Sequence, residues 1–212
     1  MSDNAPENAP ASPPIVQAGH PVLRAAAAPI TPEQMATAAF RELVATMIAT
    51  MRAAPGVGLA APQIGVSQQV IVVEDREELL ERADPANLAV RGRVPLPLTV
   101  LVNPTLRLVG ASQATFLEGC LSMSGYVALV RRALEVEVTA LDATGPQVRE
   151  RVWRLRGWPA RILQHEVDHL RGTLYIDRMH TRSMIGPEEL GRWAGRTTEE
   201  IALGLGVDLA SG

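Results

Sequence analysis

The five residues His165-Glu166-Val167-Asp168-His169 carry the densest chemistry in the chain. An α-helix turns about 100° per residue, so histidines four apart share one face and can bind one divalent ion. Glu166 then projects near enough to reach a water at that ion without being a ligand itself. This is the residue pattern of metal-assisted hydrolysis.

A catalytic ion needs a third protein ligand and an open fourth position. The pattern H-E-x-x-H-x-x-G-x-x-H is followed through Gly172, but Tyr175 stands where its third histidine belongs. The downstream carboxylates Glu188 and Glu189 lie past a break at Gly186-Pro187. That leaves Cys120, the one cysteine of the chain. A thiolate with two neutral imidazoles leaves a tetrahedral site open for water. A single cysteine also excludes an intrachain disulfide and fits a reducing compartment.

The elements that must hold these groups are partly legible. Pro159 to Leu170 is predicted as a helix ending at Gly172. Thr31-Pro32-Glu33-Gln34 begins another, with Thr31 as cap, Pro32 in the first turn and Gln34 completing a capping box. Phe40, Leu43, Val44, Met47 and Met51 continue it at helical spacing to a stop at Pro55-Gly56; the methionines are core residues there, not ligands. Gln69–Glu74, Thr99–Asn103 and Leu106–Val109 read as strands, with a charged surface insertion from Asp75 to Arg93. Leu134, Val136, Val138 and Ala140 alternate with polar residues as a half-buried strand does. The turn Asp142–Gly145 then leads into a hairpin partner over Val148–Leu155. Glu188–Leu205 is predicted as a C-terminal helix. Strands grouped between helices give an α+β class: mixed or antiparallel strands around a central metal-binding helix, with N- and C-terminal helices.

The 212 residues, 47% hydrophobic, suit one domain with a real core, expected over residues 15–212 after a disordered, acidic, Pro/Ala-rich tail over residues 1–14. Net charge is −3, so no basic face points to nucleic acid as a main ligand. All basic residues are arginine. No apolar run approaches the roughly 18 residues needed to span a bilayer, and no leader pattern is seen at the start. His20 and His180 have no motif context and are expected to be surface or structural.

Three segments carry a resemblance. Gly56-Val57-Gly58-Leu59-Ala60-Ala61-Pro62-Gln63-Ile64-Gly65, Glu118-Gly119-Cys120-Leu121-Ser122, and Gln164-His165-Glu166-Val167-Asp168-His169-Leu170 with Gly172 resemble, in order, the three signatures of the peptide deformylases. The resemblance extends from about His20 to Ile185. Gly56-x-Gly58-x-x-Ala61 also fits a dinucleotide fingerprint, but that needs a strand before it and a helix after it. Here a helix precedes it, and Pro62 stands where the next helix should run.

The resemblance implies removal of the N-formyl group from formyl-methionyl nascent polypeptides, with formate released. It implies Cys120, His165 and His169 as ligands and Glu166 as the group that takes the water proton and returns it to the leaving amine. The Gln63 side-chain amide and the Leu121 backbone N–H would stabilise the oxyanion. Val57, Phe116, Trp158 and Ile162 are expected as walls of the methionine pocket, and Gly58 and Gly119 as partners of the peptide backbone. Glu118 belongs to the same expected set, steadying the ligands from behind. Asp168 is expected in an ion pair, with Arg132 the candidate. The implied ion is Fe²⁺, with Zn²⁺, Ni²⁺ and Co²⁺ also suited to this ligand set. The implied setting is bacterial cytoplasm, with transient visits to the ribosome, no membrane, and a monomer or homodimer.

The chain departs from many bacterial members after Ser122, continuing Met123-Ser124-Gly125-Tyr126, and Val127 stands where some carry a peptide-facing arginine. With Gly157-Trp158-Pro159-Ala160-Arg161, it looks closer to the subgroup that includes organellar enzymes. Other readings are an amide hydrolase for another small N-acyl group, an ordinary H-E-x-x-H peptidase, and an inactive metal-binding module.

Overall fold

Thr31 starts a helix as its residue type dictates. Its hydroxyl accepts from Gln34 N–H and the Gln34 side chain accepts from Thr31 N–H, closing a capping box on α1 (Pro32–Met35). The helix does not run on as one piece. Thr37 hydrogen-bonds back to the Gln34 carbonyl and accepts from Phe40 N–H, starting α2 (Ala38–Ala53). Two good caps six residues apart compete with one long helix, and each wins its own end. Phe40, Met47 and Met51 are buried as the periodicity requires.

The computed structural model describes residues 14–54 and 56–210. The tail expected over residues 1–14 therefore lies outside the described residues except for Pro14, as does Pro55 of the expected helix stop.

Five strands form one antiparallel sheet in the order β1-β2-β3-β6-β7: β1 (Gly58–Ala60), β2 (Val70–Asp75), β3 (Leu96–Leu108), β6 (Glu135–Asp142) and β7 (Arg149–Arg156). β4 (Gln113–Gly119) and β5 (Val127–Ala133) make a separate antiparallel pair. The runs expected as two strands at Thr99–Asn103 and Leu106–Val109 are one strand. Its register shifts between Val102 and Thr105, where Asn103 takes a positive φ of 52°. Asparagine tolerates that backbone, and its side chain pairs with both the N–H and the carbonyl of Ile30 at 2.8 Å. The charged insertion folds as α3 (Glu77–Leu80) and α4 (Pro85–Arg91), the latter capped by Asp84.

α5 (Trp158–Leu170) lies on the sheet, with Ile162, Leu163, Val167 and Leu170 packed among Ile71, Leu101, Val136 and Val138. It stops where Gly172 adopts φ 70° against the Arg24 carbonyl, at a place where a side chain would clash. The expected single C-terminal helix is instead a 3₁₀ turn over Pro187–Glu189, α6 (Leu190–Trp193) and α7 (Thr198–Leu205). Gly195 at φ 73° breaks it, and Thr197 with Glu200 recaps the chain. Among the described residues no helix is long and apolar enough to cross a membrane.

Candidate metal centre and active site

α5 presents His165 and His169 toward the end of β4, where the chain leaves the sheet at Gly119 and Cys120 follows. The ligand atoms of Cys120, His165 and His169 lie within 4.8 Å of one another. Cys120 Sγ is 3.3 Å from His169 Nε2. A soft thiolate and two imidazoles converging on one point are a donor set suited to a divalent transition metal.

Glu118 fixes the orientation of His165. Burial alone would raise its pKa, but the Arg132 charge and hydrogen bonds from Arg132 and His165 hold the carboxyl ionised, well below the usual range. An ionised Glu118 can only accept, so His165 Nδ1 donates to it across 3.1 Å, leaving Nε2 for a metal. Burial lowers the pKa of His169, with the Arg132 charge adding to the effect, so it is held neutral, the form a ligand needs.

Behind the ligands is a buried charge cluster. Arg132 donates twice to Glu118 at 2.9 Å and once to Asp168 at 2.5 Å. Arg161 donates to Glu118 at 2.6 Å and to the carbonyls of Val130 and Ala114. Arg178 grips both oxygens of Asp168 at 2.6 and 2.7 Å. The pair suggested for Asp168 and Arg132 is thus one edge of a larger network. Arg161 and Arg178 were not legible as its members. Arg161 looks like the polar face of an amphipathic helix, and Arg178 lies beyond every motif.

Gln63 sits in a 3₁₀ turn over Ala61–Ile64 and is almost wholly buried. Its Oε1 accepts from Ala60 N–H at 2.8 Å, which turns Nε2 toward Cys120 Sγ at 3.5 Å and Ser122 Oγ at 3.4 Å. Burial pushes the Glu166 carboxyl up to about 7, against the pull of the Arg132 charge, and its Oε2 has no partner among the described residues. Tyr175, at the failed third-histidine position, is no ligand here. It stacks on His165 with centroids 6.3 Å apart and donates its hydroxyl to the Tyr126 carbonyl at 3.0 Å.

Most of these groups line one cleft of about 390 Å³, with His169 and Tyr175 buried outside its lining. Val57, Gly58, Gln63, Glu118, Gly119, Cys120, Leu121, Trp158, Ile162, His165 and Glu166 all line it. Phe116 is absent from the lining; its ring instead faces the guanidinium groups of Arg91 and Arg161, at 5.4 and 5.1 Å. Arg91, Leu117, Tyr126 and Leu190 are lining residues that no motif marks. Gly58 has a reason in this geometry beyond backbone access. A Cβ there would fall 2.3 Å from Glu166 Oε1 and 2.9 Å from its Cγ. Gly58→Ala is therefore expected to displace the carboxylate and lower kcat by about 10²-fold, the cost typical of an ångström-scale misplacement. Steady-state kinetics beside a thermal melt checks this: kcat falls while the melt moves little.

The family model described as polypeptide deformylase matches residues 12–184. The chain belongs to the polypeptide deformylase family. It is 48% identical to peptide deformylase 3 of Streptomyces avermitilis, over 92% of this chain and 84% of that one. It is 43% identical to the mitochondrial peptide deformylase of Homo sapiens, over 80% and 68% respectively. Among solved structures it resembles a class I type b peptide deformylase from Acinetobacter baumannii with Met-Ala-Ser bound. The TM-score is 0.66 and the identity 34%, covering 78% of this chain and 97% of that one. The high-identity relatives thus include an organellar enzyme beside a Streptomyces one, in keeping with the motif departures after Ser122. In this deformylase Val127 pairs with Gly119 across the β4–β5 ladder and with the Ile185 backbone, and it lines the cleft.

Proposed function

We propose that this chain hydrolyses the formyl amide of formyl-methionyl polypeptides and releases formate. The observation that carries this reading is the cleft that joins the Cys120–His165–His169 donor set to the Glu166 carboxylate and the Gln63 amide. A divalent ion held by those three ligands would supply Lewis acidity and make water acidic enough to attack near neutral pH. Fe²⁺ is the proposed physiological ion, with Zn²⁺, Ni²⁺ and Co²⁺ as substitutes for the same donors.

The chain's own residues do the rest. Glu166 removes the proton of the attacking water and delivers it to the leaving amine, a task suited to a base poised near 7. Gln63 Nε2, aimed by the Ala60 hydrogen bond, donates to the oxygen that becomes negative, with the Leu121 N–H as second donor. Gln63→Leu is expected to cost about 10²–10³-fold in kcat with the metal retained, as loss of one such donor does; kinetics and metal analysis on the same preparation check it. β1 is an edge strand of its sheet and β4 ends at Gly119, so an extended peptide can lie between Gly58 and Gly119 by strand addition. Val57, Trp158 and Ile162 then meet the methionine side chain.

The proposed setting is a reducing bacterial cytoplasm, where the single thiol stays a ligand, and the substrate reaches the cleft as the nascent chain leaves the ribosome. Anaerobic protein stripped with a chelator and reloaded with Fe²⁺ tests the reading. Activity on a formyl-Met tripeptide should vanish and return with the metal, while acetyl-Met and internal peptide bonds stay untouched. Equal cleavage of acetyl and formyl substrates would replace it with a broader N-acyl hydrolase.

A further inference from the structure

Three guanidinium groups gather at Trp158: Arg91 at 4.8 Å from its ring centroid, Arg93 at 5.9 Å and Arg161 at 6.0 Å. Two of them are neutralised. Asp75 takes Arg93 through two hydrogen bonds of 2.7 and 2.8 Å, and Glu118 takes Arg161. Arg91 has no carboxylate partner among the described residues. Its Nε donates to Asn87 Oδ1 at 2.8 Å, and its two Nη groups have no acceptor among the described residues.

Arg91 nonetheless lines the cleft beside Trp158 and Ile162, and its guanidinium lies over both aromatic residues, Phe116 and Trp158. Ring faces hold a guanidinium in place while leaving its N–H edge available. The Trp158 indole N–H is likewise buried without an acceptor among the described residues. The Arg91 Nη groups thus give one wall of the cleft a donor without an acceptor. Burial and the Arg93 charge both disfavour the Arg91 cation, so an acceptor entering the cleft is welcome there.

We propose that Arg91 is a specificity-determining residue that meets the far end of the first side chain, so that the site accepts methionine sulfoxide as well as methionine. The inference rests on the deformylase reading above. A thioether is a weak acceptor, whereas oxidation makes the same side chain polar with a strong one. An apolar pocket would reject the sulfoxide because its oxygen would be left unpaired. Arg91 supplies the missing donor from the insertion between β2 and β3, and the position does not depend on the residue at 127.

The test compares kcat/KM for formyl-Met-Ala-Ser and its methionine-sulfoxide form with metal-replete protein. Arg91→Leu and Arg91→Met are both made, so that one folded variant suffices. The ratio of sulfoxide to methionine activity should fall by about 10- to 100-fold in either variant, as loss of a charged hydrogen bond implies. An unchanged ratio, with both substrates falling together, overturns the proposal and leaves Arg91 a merely structural residue. A wild-type protein that cleaves formyl-Met but not the sulfoxide overturns it as well. No formate from either substrate would instead sink the deformylase reading.

Discussion

Glu166→Gln is expected to keep the metal and lose turnover by about 10²–10⁴-fold, the usual worth of a positioned acid–base group. The three ligand atoms converge without Glu166, so ion binding does not need its carboxylate. Glutamine preserves the shape against Gly58 but can neither take the water proton nor hand it on. Metal content per chain, measured beside kcat, separates the two roles. Loss of the ion in the variant would make Glu166 part of the coordination cage, and retained turnover would remove it from the mechanism.

Arg132→Met carries the largest expected loss of stability. Arg132 is 4% exposed and bridges Glu118 to Asp168, which are themselves buried. Taking away one member of a buried ion cluster leaves charge uncompensated and typically costs about 3–5 kcal/mol. Arg161 and Arg178 still hold one carboxylate each, which places the expected value near the lower end. Urea unfolding followed by tryptophan fluorescence measures it. Metal affinity should drop by about 10–100-fold in parallel, because Glu118 would no longer be held against His165. A change below about 1 kcal/mol would mean that Arg161 and Arg178 carry the cluster without Arg132.

How much of this was legible followed the range of the interactions. α5 could be predicted because its periodicity, its stop and the H-E-x-x-H spacing all lie within one stretch of chain. The β6–β7 hairpin was legible for the same reason, since alternation and turn are local signals. β4 and β5 were not. Arg132 points inward from β5, where alternation predicts an apolar residue, and the carboxylates that justify it come from β4 and α5. β1 has three residues, too few to show a period. The predicted C-terminal helix ignored Gly195, whose left-handed backbone ends one helix and lets Thr197 start another.

The site divides in the same way. Cys120, His165, His169, Glu166 and Gln63 each sit in a motif, so their residue types announced a chemistry before any fold was known. Phe116 was expected from motif matching alone to wall the cleft, but it supports Arg91 and Arg161 instead. Arg91 itself comes from a charged insertion that sequence patterning marks only as surface. Its place in the cleft exists because α4 is folded back onto Trp158, with the Trp158 backbone N–H donating to the Gly92 carbonyl at 3.3 Å.

The most direct test of the account is formate release from a formyl-Met tripeptide by anaerobically purified, metal-replete protein. The account predicts stoichiometric formate from the formyl peptide and none from its acetyl counterpart. A fully metallated, folded protein that releases no formate would contradict it.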